Sequence, residues 1–246
     1  GLSHYPPVDT IHTTSAPLLD ADFAKAESLA EAVAADADGA VKLHNLDRPK
    51  IPARLLGTHS AAASRVRYCP HINAVVSGSW DATIKIWDAR AAEALVQTCA
   101  QPDKVYSLCA GAPAGGAAAG AATAEPLLIV ATAGRQVNVI DLRAPAEPLQ
   151  ERESALKSQT RCIMRMPNSR GYVMGSVAGR VAVEYFDPAP EVQKDRYAFK
   201  AHRSTTALVD TVHPVNAIAF HPAYRTFVTG GSAGVANAWD AEHAQQ

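Results

Sequence analysis

One stretch decides the fold, and it reads Val75-Val76-Ser77-Gly78-Ser79-Trp80-Asp81-Ala82-Thr83-Ile84-Lys85-Ile86-Trp87-Asp88. Two runs rich in β-branched residues flank a short polar turn, and the second run ends in a Trp-Asp pair. A histidine precedes the stretch, within Gly57-Thr58-His59. Short β-branched runs separated by turn residues predict two antiparallel strands joined by a tight turn.

This pattern is typical of one blade of a WD40 β-propeller, a four-stranded unit that repeats every 40–45 residues or so. Comparable strand ends recur along the chain, at Asn45, Asp88, Asp141, Tyr185 and Asp240. The intervals between them are 43, 53, 44 and 55 residues. Two intervals match the repeat, and the other two contain insertions.

The repeat predicts an all-β chain that forms a single WD40 β-propeller domain over residues 1–246. Five blades are recognisable, at approximately 14–47, 57–90, 103–143, 159–187 and 213–240. Closed propellers of this repeat usually have seven, so we expect part of the ring to be missing. The Ala/Gly-rich segment 110–124 is predicted to be a flexible insertion within a blade, and 204–213 an insertion between blades.

The first repeat presents two conflicting signals. Residues 22–38 are rich in Ala, Glu and Leu, and their intrinsic propensity favours a helix. The phase of the repeat instead places strands near Leu18–Phe23 and Ala32–Ala35. We favour the strands, because a blade needs neighbours to bury its faces.

Composition limits the classes of function. The net charge of −1 argues against generic nucleic-acid binding, but residues 151–203 hold ten basic and six acidic residues. No apolar run approaches the ~18 residues of a membrane span, and we expect neither a signal peptide nor a membrane partner. The four scattered cysteines are predicted to be reduced thiols, and no metal or cofactor site is expected.

The best-preserved blade contains a predicted side-chain network of His59, Ser77, Asp81 and Trp87. Such networks fix blade geometry, because buried polar groups must be paired. A serine, a histidine and an aspartate also suggest hydrolysis, but no oxyanion loop or nucleophile elbow accompanies them. The network is therefore interpreted as structural, and no catalytic residue is predicted.

Two features at the rim point to binding. Trp80 is a second large aromatic beside the turn, where an exposed indole can anchor a partner. Arg180 follows the turn Ala178-Gly179, and with Lys200 it could hold a carboxylate or a phosphate. Arg180 and Lys200 belong to a wider set of basic residues, which comprises Lys157, Arg161, Arg165, Arg170, Arg180, Lys194, Lys200 and Arg203.

Several longer segments are similar to one family, the spindle-assembly-checkpoint WD40 proteins of the kinetochore (the Bub-three family). They include residues 77–81, 101–108, 152–162, 179–185, 188–194, 197–203 and 214–218. The resemblance covers about three-quarters of the chain. It implies a non-catalytic, seven-bladed adaptor that is found in the nucleus, the cytoplasm and, in mitosis, at the kinetochore.

The resemblance also implies partners. Family members bind a GLEBS segment of a checkpoint kinase and of a kinase-like checkpoint protein, and they dock on phosphorylated MELT repeats of a kinetochore scaffold. Carried over to this chain, Trp80, Arg161, Arg180 and Glu184 would contact GLEBS, and Arg180 with Lys200 would hold the phosphothreonine.

Two alternatives remain open. A sister propeller, the messenger-RNA export factor of the nuclear pore, also binds a GLEBS motif. The segments Trp87-Asp88-Ala89-Arg90 and Ile140-Asp141-Leu142-Arg143 resemble the box that substrate receptors of cullin ubiquitin ligases present to their adaptor.

Overall fold

The computed structural model describes residues 14–25, 28–48, 51–110, 126–206, 209–221, 224 and 226–241. Antiparallel strands in consecutive order form the sheets, and we call each sheet of three or four strands a blade. Blade 1 contains β1 (Leu18–Lys25), β2 (Ser28–Asp36), β3 (Ala40–Asn45) and β4 (Arg54–Thr58). Blade 2 contains β5 (Ala63–Cys69), β6 (Ala74–Ser79), β7 (Thr83–Trp87) and β8 (Leu95–Ala100).

The other three blades follow in chain order. Blade 3 contains β9 (Val105–Ala110), β10 (Leu127–Thr132), β11 (Gln136–Asp141) and β12 (Gln150–Glu153). Blade 4 contains β13 (Thr160–Arg165), β14 (Gly171–Ser176), β15 (Arg180–Tyr185) and β16 (Tyr197–Lys200), with a short helix α1 (Pro190–Gln193) before β16. A hairpin of β17 (Arg203–Thr206) and β18 (Val209–Val212) precedes the three strands of blade 5, which are β19 (Val215–Phe220), β20 (Thr226–Gly231) and β21 (Ala236–Asp240).

The core of the protein consists of apolar layers between successive blades. Val33, Val66 and Trp87 belong to the layer between blades 1 and 2, and Phe227 and Trp239 belong to the layer between blades 4 and 5. The second strands β6, β10 and β14 are buried at every position, because both of their faces are covered. Strands buried on both faces are apolar runs without alternation, which explains their composition.

Blade 1 confirms the strands that the repeat phase predicted. β1 includes Leu18–Phe23 and β2 includes Ala32–Ala35, where the local composition favoured a helix. Val33 and Ala35 are completely buried against blade 2. Tertiary packing therefore overrides helix propensity in this segment.

The tight turn between the second and third strands of all five blades contains a residue in the left-handed backbone region. Gly39, Gly134, Gly179 and Gly234 provide it in four blades, and Ala82 provides it in blade 2 with a φ of 60°. Glycine adopts this conformation without the steric cost that a β-carbon adds.

The first strands β1, β5, β9, β13 and β19 pack side by side in that order. Within the described ranges no comparable packing joins blade 5 to blade 1. These observations confirm the predicted WD40 β-propeller, of which the described residues form five blades that do not close a ring.

The two predicted insertions have different outcomes. The Ala/Gly-rich insertion lies outside the described residues, apart from Ala110 at the end of β9. The insertion at 204–213 coincides largely with the hairpin of β17 and β18. In the part of the chain that the structure describes, no helix is long and apolar enough to cross a membrane.

Candidate functional site

A β-bulge interrupts the start of the first strand in each blade. The register shifts across one residue, and the five residues so bypassed are Leu19, Ser64, Tyr106, Arg161 and Asn216. A bulge redirects the side chain of the extra residue away from the regular alternation of the strand. Each blade therefore presents one redirected side chain at the same level of the propeller.

Four of these bulged residues line one depression with a volume of about 500 Å³, namely Leu19, Ser64, Tyr106 and Arg161. Trp80, Arg65 and Val177 also line this depression. Residues from blades 1, 2, 3 and 4 thus meet in one concave site. Concave sites with apolar walls and a few polar groups are the usual form of a ligand site.

The aromatic wall of the depression is formed by two residues. Trp80 is 44% exposed, and its ring meets Tyr106 edge to face with 6.5 Å between the ring centroids. The backbone N–H of Trp80 donates to the carbonyl of Ala62 at 3.0 Å, which fixes the start of the turn. The indole is held in place but not covered, as an interface anchor requires.

Two arginines give the depression its positive charge. Arg161 is exposed, and its Nε donates to Oδ1 of Asn216 at 3.2 Å. Burial lowers the pKa of Arg65. The carboxylate of Asp20 opposes this shift, whereas the guanidinium groups of Arg67 and Arg161 lower the pKa further. Asp20 is itself bonded to Arg67 at 2.6 Å. The depression therefore favours an anionic group next to an apolar one.

Arg180 and Lys200 form a second basic feature near the same edge. They are directly opposed on β15 and β16, so their side chains lie on one face of the sheet. Ala182 and Ala198 continue that face into the apolar layer against blade 3. Neither residue occurs in an ion pair within the described residues. Arg180 follows Val177 by three residues, which places the pair beside the depression.

Glu184 does not join this surface. It is only 4% exposed, and it lies four residues beyond Arg180 on β15, about 13 Å away at the usual rise of a strand. Burial raises its pKa, although Arg196, Arg152 and the backbone N–H of Ala155 oppose the shift. The expectation that Glu184 contacts a partner alongside Trp80 therefore has no support from its position.

Arg165 also differs from its expected surface position, because it is 1% exposed and its guanidinium lies 5.9 Å from the ring centre of Phe186. Conversely, the sequence interpretation missed Arg65 and Tyr106. The repeat contained a signal for Tyr106, which occupies the same repeat position as Arg161.

The side-chain network of blade 2 runs from the turn to the third strand. Nδ1 of His59 lies 3.2 Å from Oδ2 of Asp81, and Nε2 lies 2.7 Å from Oγ of Ser77. Nε1 of Trp87 donates to the same Oγ at 2.8 Å. Burial lowers the pKa of His59, and Asp81 opposes that shift. Burial raises the pKa of Asp81, but hydrogen bonds from Thr83 and Ser60 and the nearby His59 lower it to about 2.

Blade 5 contains a shortened version of this network that the sequence interpretation did not identify. Nε2 of His202 lies 2.9 Å from Oγ1 of Thr229, and Nε1 of Trp239 donates to that oxygen at 2.8 Å. Ala233 stands where blade 2 has Asp81. His202 is 1% exposed, and its Nδ1 has no hydrogen-bond partner among the described residues. An unpaired buried polar atom costs about 1–3 kcal/mol.

Replacing Ala233 with Asp should therefore stabilise blade 5 by about 1 kcal/mol, because the new carboxylate can accept from Nδ1 of His202. The midpoint of urea unfolding, followed by tryptophan fluorescence, measures the change. Ser232→Asp is the matched control, since it adds the same charge at an exposed neighbour. An Ala233→Asp midpoint no higher than that of the wild type would contradict the repeat equivalence.

The four cysteines are free, in agreement with the predicted reduced thiols, and all of them are buried: Cys69, Cys99, Cys109 and Cys162. Burial raises the pKa of all four thiols, that of Cys162 to about 12. Thiols with raised pKa values are poor nucleophiles at neutral pH. No group of three or more metal-ligating side chains occurs in the described ranges.

The two boxes that resemble cullin-receptor motifs share one geometry. Nε and Nη2 of Arg90 donate to the carboxylate of Asp88 at 2.9 Å, and Nε of Arg143 donates to Asp141 at 2.9 Å. Each guanidinium is thus engaged by the aspartate of its own box. Both arginines are nevertheless well exposed.

The blades, their bulged first strands and the His–Ser–Trp network define a WD40 β-propeller protein. The family model described as "WD domain, G-beta repeat" matches residues 51–88 and 197–240.

Similarity to named proteins extends beyond these repeats. The chain is 47% identical over 190 residues to "Mitotic checkpoint protein BUB3.1" of Arabidopsis thaliana, across 76% of this chain and 52% of that protein. It is 35% identical over 233 residues to "Mitotic checkpoint protein bub-3" of Caenorhabditis elegans, across 94% and 63% respectively. The chain is therefore homologous to the Bub3 mitotic checkpoint proteins, which confirms the resemblance found in the sequence.

The sister relationship is confirmed as well. The chain is 34% identical over 227 residues to "mRNA export factor GLE2" of Chaetomium thermophilum, across 91% of this chain and 58% of that protein. The chain spans about half the length of the Arabidopsis relative, and less than two thirds of the other two.

Proposed function

We propose that this chain acts as a non-catalytic adaptor of the mitotic spindle assembly checkpoint, in the nucleus and cytoplasm and, during mitosis, at kinetochores. Its homologues named mitotic checkpoint proteins support the process. Its buried thiols and the structural role of the His59 network favour binding over catalysis.

The proposed partners are a GLEBS segment of a checkpoint kinase or kinase-like checkpoint protein, and phosphorylated MELT repeats of a kinetochore scaffold. The observation that carries this proposal is the depression that is lined by the aromatic rings of Trp80 and Tyr106 and by Arg65 and Arg161. An extended peptide with a carboxylate beside an apolar side chain matches both walls. Arg180 and Lys200 supply two cations for the phosphothreonine, which carries close to two negative charges.

Titration of fluorescent GLEBS peptides tests the first partner. Peptides from a checkpoint kinase should bind, and Trp80→Ala or Arg161→Ala should each weaken binding by about 30-fold, the equivalent of about 2 kcal/mol at an interface anchor. Leu95→Ala on β8 is the control, because Leu95 is 48% exposed and lies outside the depression. If Trp80→Ala and Arg161→Ala bound the GLEBS peptide as tightly as the control Leu95→Ala, this location of the site would be refuted.

An mRNA export role is the second candidate, since GLE2 is a relative that aligns over most of this chain. A GLEBS peptide from a nuclear-pore protein belongs in the same titration. Preference for the pore peptide would favour export, and preference for the kinase peptide would favour the checkpoint. Binding of neither, with capture of a cullin adaptor, would favour a ligase receptor.

A further inference from the structure

A second concave site lies on strands β11 and β12 of blade 3, and we call it the blade 3 pocket. It has a volume of about 500 Å³ and is lined by Pro102, by Gly134 and by polar side chains of the two strands. It shares no lining residue with the depression around Trp80. Blade 3 packs between blades 2 and 4, so this pocket lies away from the first and the last blade.

The strand register places four polar side chains of the pocket on one face of blade 3. Gln136 is directly opposed to Glu153, and Asn138 is directly opposed to Glu151. Alternate residues of a strand share a face, so both pairs point to the same side of the sheet. Each of the four side chains carries an oxygen that can accept hydrogen bonds. The pocket is therefore rich in acceptors.

Two linked amides fix the orientation of Asn138 and leave an acceptor open. Nε2 of Gln101 donates to the carbonyl of Ala100 at 2.9 Å, so Oε1 of Gln101 can accept. Nδ2 of Asn138 donates to that Oε1 at 3.1 Å. Asn138 is only 4% exposed, and its Oδ1 has no hydrogen-bond partner among the described residues. Because Asn138 lines the pocket, this oxygen is the acceptor that it presents there.

The cations near the pocket are engaged elsewhere. Nη1 and Nη2 of Arg152 each donate to a backbone carbonyl of blade 4 at 2.6 Å. Arg135 forms an ion pair with Glu153. Glu151 is exposed and occurs in no ion pair within the described ranges. The carboxylate of Glu151 and Oδ1 of Asn138 are thus neighbouring acceptors, and the charge of Glu151 is not compensated.

We propose that the blade 3 pocket binds an arginine side chain of a partner protein. A guanidinium has five N–H donors in one plane, so it can engage both carboxylate oxygens of Glu151 and also Oδ1 of Asn138. It also supplies the positive charge that balances Glu151. A lysine ammonium is a compact point charge with three donors, and it satisfies these acceptors less completely. The depression favours an anionic group, so the two sites recognise side chains of opposite charge.

Titration of the 246-residue chain with the blocked peptide acetyl-Gly-Arg-Gly-amide tests this proposal by two-dimensional NMR of amide groups. The side-chain amide signal of Asn138 should shift, with a dissociation constant of about 1–10 mM for so small a ligand. The neutral citrulline peptide should bind about 10-fold more weakly, and the lysine peptide about 3-fold more weakly.

Glu151→Gln should weaken binding of the arginine peptide by about 10-fold or more, because it removes the charge and keeps the shape. Glu147→Gln is the matched control, since Glu147 is an exposed carboxylate of the same blade that does not line the pocket. Glu151 is itself exposed, so its variant should fold, and the dispersion of the NMR spectrum verifies this.

Four results would overturn the proposal. The first is equal affinity of Glu151→Gln and Glu147→Gln for the arginine peptide, and the second is a citrulline peptide that binds as tightly as arginine. The third is no shift of the Asn138 side-chain amide up to about 50 mM peptide, which would place any binding elsewhere. The fourth is equal binding of the lysine peptide, which would remove the assignment to arginine.

Discussion

Arg180→Glu combined with Lys200→Glu is expected to abolish binding of a phosphothreonine MELT peptide, with a loss of about 100-fold or more in affinity. The two side chains are directly opposed on β15 and β16, and no ion pair within the described residues neutralises them. Charge reversal replaces two attractions to a dianion with two repulsions. Calorimetric titration with phosphorylated and unphosphorylated peptide measures the effect.

The control for this prediction reverses an equal charge elsewhere on blade 4. Arg170 and Lys194 are both exposed and lie away from the β15–β16 pair. Arg170→Glu with Lys194→Glu should therefore preserve phosphopeptide affinity apart from a small long-range effect. If the Arg180–Lys200 variant bound phosphopeptide as well as this control, the phosphate would be held elsewhere.

The second large effect concerns stability, and it separates two tryptophans of the same blade. Trp87→Ala should destabilise the protein by about 3–5 kcal/mol, because it removes a fully buried aromatic and leaves Ser77 without the indole donor. Trp80→Ala should change stability by less than about 1 kcal/mol, because that ring is 44% exposed. Urea unfolding followed by circular dichroism compares the two variants.

In a binding assay, the variant with the smaller loss of stability should show the larger loss of affinity. Trp80→Ala should lose GLEBS affinity, whereas Trp87→Ala, studied below its unfolding midpoint, should retain it. Equal destabilisation by both substitutions would show that Trp80 is part of the packing and would remove it from the proposed surface.

The sequence predicted the features that recur from blade to blade. Trp87-Asp88 and its counterparts marked the strand ends, and the phase of the repeat identified β1 and β2 against their helical composition. A repeat averages over many weak local signals, so its phase is more reliable than the propensity of any one segment. The opposed positions of Arg180 and Lys200 could also be predicted from the sequence, because both residues lie beside recognisable turns.

The features that sequence reasoning missed depend on what lies across an interface. Glu184 follows the alternation of β15 onto the face that packs against blade 3, and only the neighbouring blade buries it. Tyr106 was missed because a bulge alters which way a side chain points, and Arg65 directly follows the bulged Ser64. Bulges are defined by the register between strands, which the sequence alone does not give. The absence of an aspartate beside His202 follows from the repeat, because Ala233 occupies the position that Asp81 holds in blade 2.

The bulge at the start of each first strand has a consequence for how such a surface can change over time. Leu19, Tyr106 and Arg161 stand outside the paired ladder, so replacing one of them should alter recognition with little penalty in folding. Ser64 is the exception, because it is buried and its hydroxyl donates to the carbonyl of Val105 at 2.6 Å. Blades 1, 3 and 4 thus each offer one exchangeable position around the depression. A scaffold of this kind can acquire new specificities one substitution at a time, and the same positions are where a protein engineer should randomise first.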